Sequence, residues 1–320
     1  MTGYIVGRLM ATIPILLGVS LAVFSMLHFL PGDPVLVMMS ETGSGAKMAD
    51  VSEETYNRIR RELGLDQPLH IQFGRFVWKA VQGDLGRSFR SNQQVTNMIV
   101  EAFPYTVRLT LTGLGLAIPI GILLGIIAAV RHNSIVDNLS MLTALFAVSM
   151  PSFWFGIMLL LIFALHLNLL PATGFGSPEA IILPAVALGL SSSAIIARLV
   201  RSSLLEILRM DYITTARAKG LLERVVVMKH ALKNAMIPVV TVVGLQFGAL
   251  LGGAVVVETV FARPGLGLLL VSGINGKDFP VVQGGILVAA SAYVFANMMV
   301  DISYAWLDPR IKYGSEPGSA

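Results

Sequence analysis

The chain has 320 residues, of which 55% are hydrophobic and 13% are charged. Soluble domains carry about 25% charged residues, so this composition, with a mean hydropathy of +0.75, excludes an ordinary soluble enzyme and a disordered chain. The lack of cysteine excludes disulfides, zinc–thiolate sites and thiol chemistry, and the net charge of +4 is distributed as a membrane orientation signal, not as a patch for nucleic acid.

A hydrocarbon core of roughly 30 Å needs about 20 apolar residues in a helix. Six segments meet or approach that length. The first is Leu9–Leu30. It has Arg8 in front, but no small-residue cleavage pattern follows it, so it reads as a retained span. The second is Thr110–Val130, starting near Tyr105. The third is Leu139–Leu165, drawn as one span. The fourth, Ile181–Ala197, is short and runs on into an amphipathic stretch. The fifth is Ala235–Val257. The sixth is Gly284–Val300, extended past Asp301 to Trp306. The expected fold is thus an all-α integral membrane protein with six transmembrane helices. Residues 31–104 form a long helical loop after the first span, 105–306 a five-helix membrane core that contains the 198–234 loop, and 307–320 a tail.

Six spans place both termini on one side. That side holds twelve Lys/Arg, eight of them between Arg198 and Lys233, whereas the other side holds two outside the 31–104 loop. Long loops translocate largely regardless of charge, so the bias makes both termini cytoplasmic. The 31–104 loop balances eight basic against nine acidic residues and reads as a small extracytoplasmic subdomain. Ser52 is placed to cap a helix that opens with Glu53 and Glu54, carries Arg60 and Arg61 late and stops at Gly64. Pro68 opens a second helix, with Leu69, Phe73, Phe76, Val77 and Ala80 on one face and Gly83 at its end. Val95, Met98, Ile99 and Ala102 make a third apolar stripe before Pro104, read as packing.

Several chemistries are missing. Gly273-Ile274-Asn275-Gly276-Lys277-Asp278 fails as a phosphate loop in spacing and in its last residue, so the chain is not expected to hydrolyse ATP. The five histidines, including His28 inside the first span, lack metal-ligand spacing. Ser191, Ser192 and Ser193 lack a neighbouring His and Asp in sequence. No catalytic residue and no metal ligand is therefore expected. Gly121/Gly125 and Gly244/Gly248/Gly252 follow the spacing that lets helices approach closely. Gln246 and Asn297 are candidates for lining a pathway, because polar groups in lipid are costly. Asp301 and Glu258 are read as helix-end or interfacial charges.

The most informative stretch is 198–234. It contains Asp211-Tyr212-Ile213-Thr214-Thr215-Ala216-Arg217-Ala218-Lys219-Gly220, then Leu221-Leu222-Glu223-Arg224, then His230-Ala231-Leu232-Lys233-Asn234-Ala235-Met236-Ile237-Pro238. The pattern predicts a helix, a left-handed stop at Gly220, a second short helix and re-entry at Pro238. A loop this long and doubly helical reads as a docking element.

This stretch resembles the EAA loop of ABC-importer permeases. Gly220 matches the family glycine, Ala216 the second alanine and Pro238 the closing proline. Thr214 and Thr215 stand where glutamate and the first alanine would be. The form Thr215 to Gly220 is similar to the peptide/nickel branch. So are Leu30-Pro31-Gly32-Asp33-Pro34, Leu63-Gly64-Leu65-Asp66-Gln67-Pro68, Gly83-Asp84-Leu85-Gly86, Val257-Glu258 with Pro264-Gly265-Leu266-Gly267, and Asp308-Pro309. The match runs nearly end to end and is closest to the first of the two permease subunits of dipeptide/oligopeptide systems. The resemblance implies a multi-pass protein of a prokaryotic cell membrane that forms half of a translocation pathway. It implies a second homologous permease, two ATP-binding subunits that hold ATP and magnesium, and an extracytoplasmic substrate-binding protein. It assigns ATPase coupling to Tyr212, Thr215, Ala216, Arg217, Ala218, Lys219, Gly220, Leu221, Leu222, His230, Asn234 and Pro238. Relatives carry nickel, glutathione, opines or oligosaccharides as well as peptides. An ion-coupled secondary transporter stays as the remote alternative, although the broken mid-membrane helices and buried ionisable rows it would need are not evident.

Overall fold

The computed structural model describes residues 2–29, 35, 53–62, 64–173 and 176–307. The expected Ser52 cap, the Leu30–Pro34 and Asp308-Pro309 motifs, the 307–320 tail beyond Leu307 and the side chains of His28 and Asp301 lie outside the described residues. Among those described, the chain is helical, with one isolated β-bridge between Arg87 and Gln94. Within the described residues, five helices are long and apolar enough to cross a membrane, or six when one bent pair counts as a span.

In chain order the helices are α1 (Thr2–Phe29), α2 (Glu53–Glu62), α3 (Leu69–Val81), α4 (Val95–Val130), α5 (Ile135–Ser149), α6 (Ser152–Leu159), α7 (Ile182–Ile207), α8 (Asp211–Ala218), α9 (Leu232–Val260), α10 (Leu266–Asn275) and α11 (Phe279–Leu307). A π turn, Leu160–His166, continues α6, and a 3-10 turn, Pro178–Ile181, leads into α7.

Three sequence expectations change. The stripe from Val95 to Ala102 and the second span are one 36-residue helix, α4. Proline costs an intrahelical hydrogen bond but already holds a helical φ, and membrane helices tolerate it; Pro104 therefore passes inside α4 without ending it. The third span is broken. Its halves, α5 and α6, meet at 104°. Met150 sits at φ −79, ψ 128 because the ring of Pro151 disfavours a helical residue before it. Finally, α10 is an apolar ten-residue helix that no span pattern announced.

The chain divides into two compact units. One comprises Met1–Tyr105 with Pro264–Val294, the other Thr106–Arg263 with Phe295–Ala320. In the first unit, Val95 and Ile99 of α4 pack with Leu266 and Leu270 of α10 and Val281 of α11. Phe24 of α1 meets Phe73 of α3 edge-on, with ring centroids 5.5 Å apart. Gly64 and Gly83 take φ of +70 and +80, the left-handed stops expected of them. Asp278 accepts from the Ser88 hydroxyl and from the Phe89 N–H, the latter at 3.1 Å, which ties the 84–94 loop to the turn before α11. Thus 264–294 packs with part of the 31–104 loop.

In the second unit the core runs from Leu109 and Leu114 of α4 through Leu183 and Leu188 of α7 to Leu250, Ala254 and Val257 of α9. A Cβ on Gly121 or Gly125 would stand 2.6 Å from the Ser193 or Ala197 carbonyl oxygen. The pair of glycines therefore seats α4 directly on the backbone of α7. Lipid is as apolar as leucine, so such close backbone approach, and not exclusion from water, drives helix association.

Candidate coupling site

The segment joining α7 to α9 forms a small folded platform. Met210 takes an extended conformation and opens α8. Asp211 lies in the first turn and Arg217 in the last, each matched to the helix dipole. The Thr215 hydroxyl donates to the Asp211 carbonyl at 3.0 Å. Ile213 and Ala216, one helical turn apart, are buried against Leu204 of α7, Ala129 of α4 and Val226, Val227, Ala231 and Ala235 beyond the turn. Thr214, Thr215, Ala218 and Lys219 are exposed.

The end of α8 is a Schellman closure. Gly220 N–H donates to the Arg217 carbonyl at 2.9 Å and Leu221 N–H to the Ala216 carbonyl at 3.4 Å. Gly220 sits at φ +77, as expected from its position in the sequence, and a Cβ there would meet nothing within 4 Å. The demand for glycine is therefore purely one of backbone conformation.

Arg217 bridges the same turn. Its Nη2 and Nε donate to the two Glu223 carboxylate oxygens at 2.6 and 3.0 Å. The Glu223 carboxylate holds the guanidinium above its ordinary pKa. The side chains are 41% and 55% exposed, so the pair contributes on the order of 0.2–1 kcal/mol after solvent screening. Asn234 Nδ2 donates to Tyr212 Oη at 2.9 Å, joining α8 to the first turn of α9.

The second short helix does not end before the span. Glu223–Val225 passes through a π turn, Val226–Ala231, straight into α9, with Pro238 inside the helix. Re-entry at Pro238 is thus corrected to a continuous helix, because a proline ring already satisfies helical φ. His230 lies partly buried in the π turn. With Ile213 and Ala216 turned inward, Leu221, Leu222, Val225 and Met228 stand at the surface, Leu222 at 75% exposure.

The other candidates separate. Gln246 Nε2 donates to Ser192 Oγ of α7 at 3.2 Å, which gives Ser192 a partner in helix packing. Asn297 keeps Oδ1 buried without a hydrogen bond among the described residues. Gly244 faces Val300 of α11, 2.6 Å from a would-be Cβ, whereas Gly252 faces open space. Gly248 is buried.

One cluster was not read from the sequence. Asp137, 0% exposed, accepts from Arg201 Nε at 2.6 Å and Nη2 at 2.8 Å. It also accepts from the Asn133 N–H at 2.9 Å, and His132 Nδ1 stands 3.3 Å away. Ser134 caps α5 through the Asp137 N–H. The Ser134-x-x-Asp137 capping spacing was legible; Arg201, 64 residues on, was not.

The family model described as "Binding-protein-dependent transport system inner membrane component" matches residues 121–313. A companion, "Binding-prot-dependent transport system membrane comp, N-term", matches residues 1–110. The chain is similar to the dipeptide transport system permease protein DppB of Alkalihalophilus pseudofirmus, 42% identical over 98% of this chain and 100% of the relative. It is similar to the glutathione transport system permease protein GsiC of Escherichia coli O6:H1, 44% identical over the same shares. The fold is similar to the inward-facing MetNI methionine ABC transporter, with a TM-score of 0.58 at 18% identity over 66% of this chain and 96% of that one. A crystallised amino acid ABC transporter matches with a TM-score of 0.53 at 13% identity, over 66% of this chain and 95% of that one.

Proposed function

The chain belongs to the binding-protein-dependent transport system inner membrane components, the membrane-embedded permeases of ABC importers, and from that premise we propose that the 208–231 platform is where ATPase motion enters it. The observation that carries this reading is the Gly220 turn. It holds Leu221, Leu222, Val225 and Met228 outward while Ile213 and Ala216 anchor the same segment to three long helices. An apolar patch on a rigid, buried footing suits docking into a groove of a partner, where a few anchors carry the affinity.

In this reading ATP and magnesium sit on two partner subunits, and the chain makes and breaks no bond. A second permease completes the pathway, and a binding protein delivers the substrate on the extracytoplasmic side, above residues 31–104. Both termini and the platform face the cytoplasm. The cargo is a small peptide. This rests on relatives named for dipeptide and for glutathione, itself a tripeptide. The chain's contribution is conformational: motion of the ATPases displaces α8, and the helices packed on it alternate between outward and inward access.

Reconstitution tests the reading. In liposomes with its ATP-binding subunits and binding protein, the complex takes up a radiolabelled dipeptide or glutathione only when supplied with ATP. Uptake continues after a protonophore collapses the proton gradient. Uptake that needs no ATP and stops with the protonophore overturns it.

A further inference from the structure

We infer that the pair of buried Asp137 and half-buried Arg201 is a positioning latch that makes the first turn of α5 move with the coupling platform; this rests on the reading of the platform given above. The pair lies where two connections of the fold converge. Arg201 is three residues before Leu204, which is fully buried in the cluster that anchors Ile213 and Ala216 of α8. Ala129 of the same cluster is the penultimate residue of α4, just before the Arg131–Ser134 turn, and that turn delivers Asp137. α4 is itself seated on α7 through Gly121 and Gly125. The platform, the end of α4 and the end of α7 thus share one packed body.

α5 is the element whose attachment needs explaining. Towards its far end Ala144 and Ala147 pack against Ala194 and Leu190 of α7, and Ser191 Oγ donates to the Ala147 carbonyl at 3.1 Å. At its first turn the contact is of another kind. Two parallel N–H donors from one guanidinium meet both oxygens of Asp137, a geometry that fixes distance and angle together. The carboxylate is also held by the Asn133 N–H, so its oxygens are committed from the turn side as well. Asn133 itself adopts φ +60, a conformation asparagine tolerates better than most residues. His132 Nδ1 lies 3.3 Å from both Asp137 Oδ2 and Arg201 Nη2, closing the exposed side of the pair.

A buried ion pair is weak evidence for stability, since apolar residues of the same volume often serve as well. What such a pair does supply is register. Here the register is between α7, which carries the platform, and α5, which leads into the 104° bend at Pro151. A displacement at α8 is therefore delivered to the start of the bent pair without slip.

The test uses the complete transporter, and the cysteine-free chain makes it direct. Spin labels are placed at Ile135→Cys, where the side chain is 78% exposed, and at the exposed Thr214→Cys of α8. With Asp137 and Arg201 intact, the distance between labels stays fixed when ATP is added. In the Asp137→Asn complex, with ATP-binding subunits retained, ATP changes that distance, and substrate moved per ATP falls on the order of tenfold, within the usual span of coupling free energies. A label distance that changes with ATP in the intact protein overturns the latch and needs no buried variant. An Asp137→Asn complex whose distance stays fixed and whose transport per ATP is unaltered also overturns it. If the intact chain retains no ATP-binding subunits, the platform reading falls and the latch with it. Retained subunits with a failed label test remove the latch alone.

Discussion

Asn234, in the first turn of a membrane-spanning helix, donates its side-chain amide to the phenol of Tyr212 on α8, at 2.9 Å. The bond joins the platform to the following span from the side opposite the Gly220 turn in sequence. Replacing Asn234 with Leu removes the donor and leaves Tyr212 Oη to water, a loss of about 1 kcal/mol. The expected outcome is a normally folded chain with a modest fall in retention of the ATP-binding subunits, read by co-purification. Tyr212→Phe should match it, and the double variant should be no worse than either single one.

Gly220→Val places a β-branched residue at φ +77. Left-handed backbone costs ordinary residues about 1–2 kcal/mol, more when β-branched. Nothing within 4 Å opposes the side chain itself, so the cost falls on the turn and not on the core. Membrane levels should match wild type, while transport and ATPase retention fall together. Gly220→Val that transports at full rate with its partners bound would remove the platform from the coupling path.

Ala216 and Lys219 are three residues apart and should behave oppositely. Ala216 is buried among apolar side chains, whereas Lys219 is exposed. Ala216→Asp buries an unpaired charge, which costs several kcal/mol unless the platform opens. Lys219→Ala should change transport by less than about twofold, the scale of a solvated surface substitution. Parallel uptake assays at equal membrane levels check the contrast.

Helix packing distinguishes the glycines. At Gly121 a new side chain meets the Ser193 carbonyl oxygen and the Ile196 side chain, and backbone cannot yield as a side-chain tip can. Gly121→Leu should destabilise the detergent-solubilised protein by about 1–3 kcal/mol or more, as overpacking does. Gly252→Leu, facing open space within the chain, should leave its melting temperature unchanged. Thermal melts of the two variants decide this.

Orientation is open to chemical labelling. Single cysteines at Ser91 and Thr214, both exposed, should divide under an impermeant thiol reagent in intact cells. Ser91→Cys should label and Thr214→Cys should not. The reverse pattern would invert the proposed topology.

The local features of the platform were legible because they are local. A glycine after Arg217 and Lys219, itself followed by apolar residues, is a helix stop that needs no tertiary partner, and Gly220 takes the left-handed conformation. Leu221 and Leu222, which the resemblance assigned to coupling, stand exposed directly after that stop. Breaks in apolar runs were less readable. Pro104 and Pro238 are continued through, whereas Pro151 turns the chain by 104°. Composition cannot separate these cases, since each proline removes the same N–H.

The sequence by itself determined the membrane class, the number of apolar runs, the helix stops and the family likeness, because hydropathy and φ preference act over a few neighbouring residues. Only the tertiary structure decided which residues meet across the chain. It paired Asp137 with Arg201, seated Gly121 and Gly125 on the α7 backbone, gave Gln246 to Ser192 and packed 264–294 with the residues before α4. In lipid, helices find one another by close fit and shared polar groups and not by hiding from water. That fit is a property of surfaces brought together, so no stretch of one helix announces its partner.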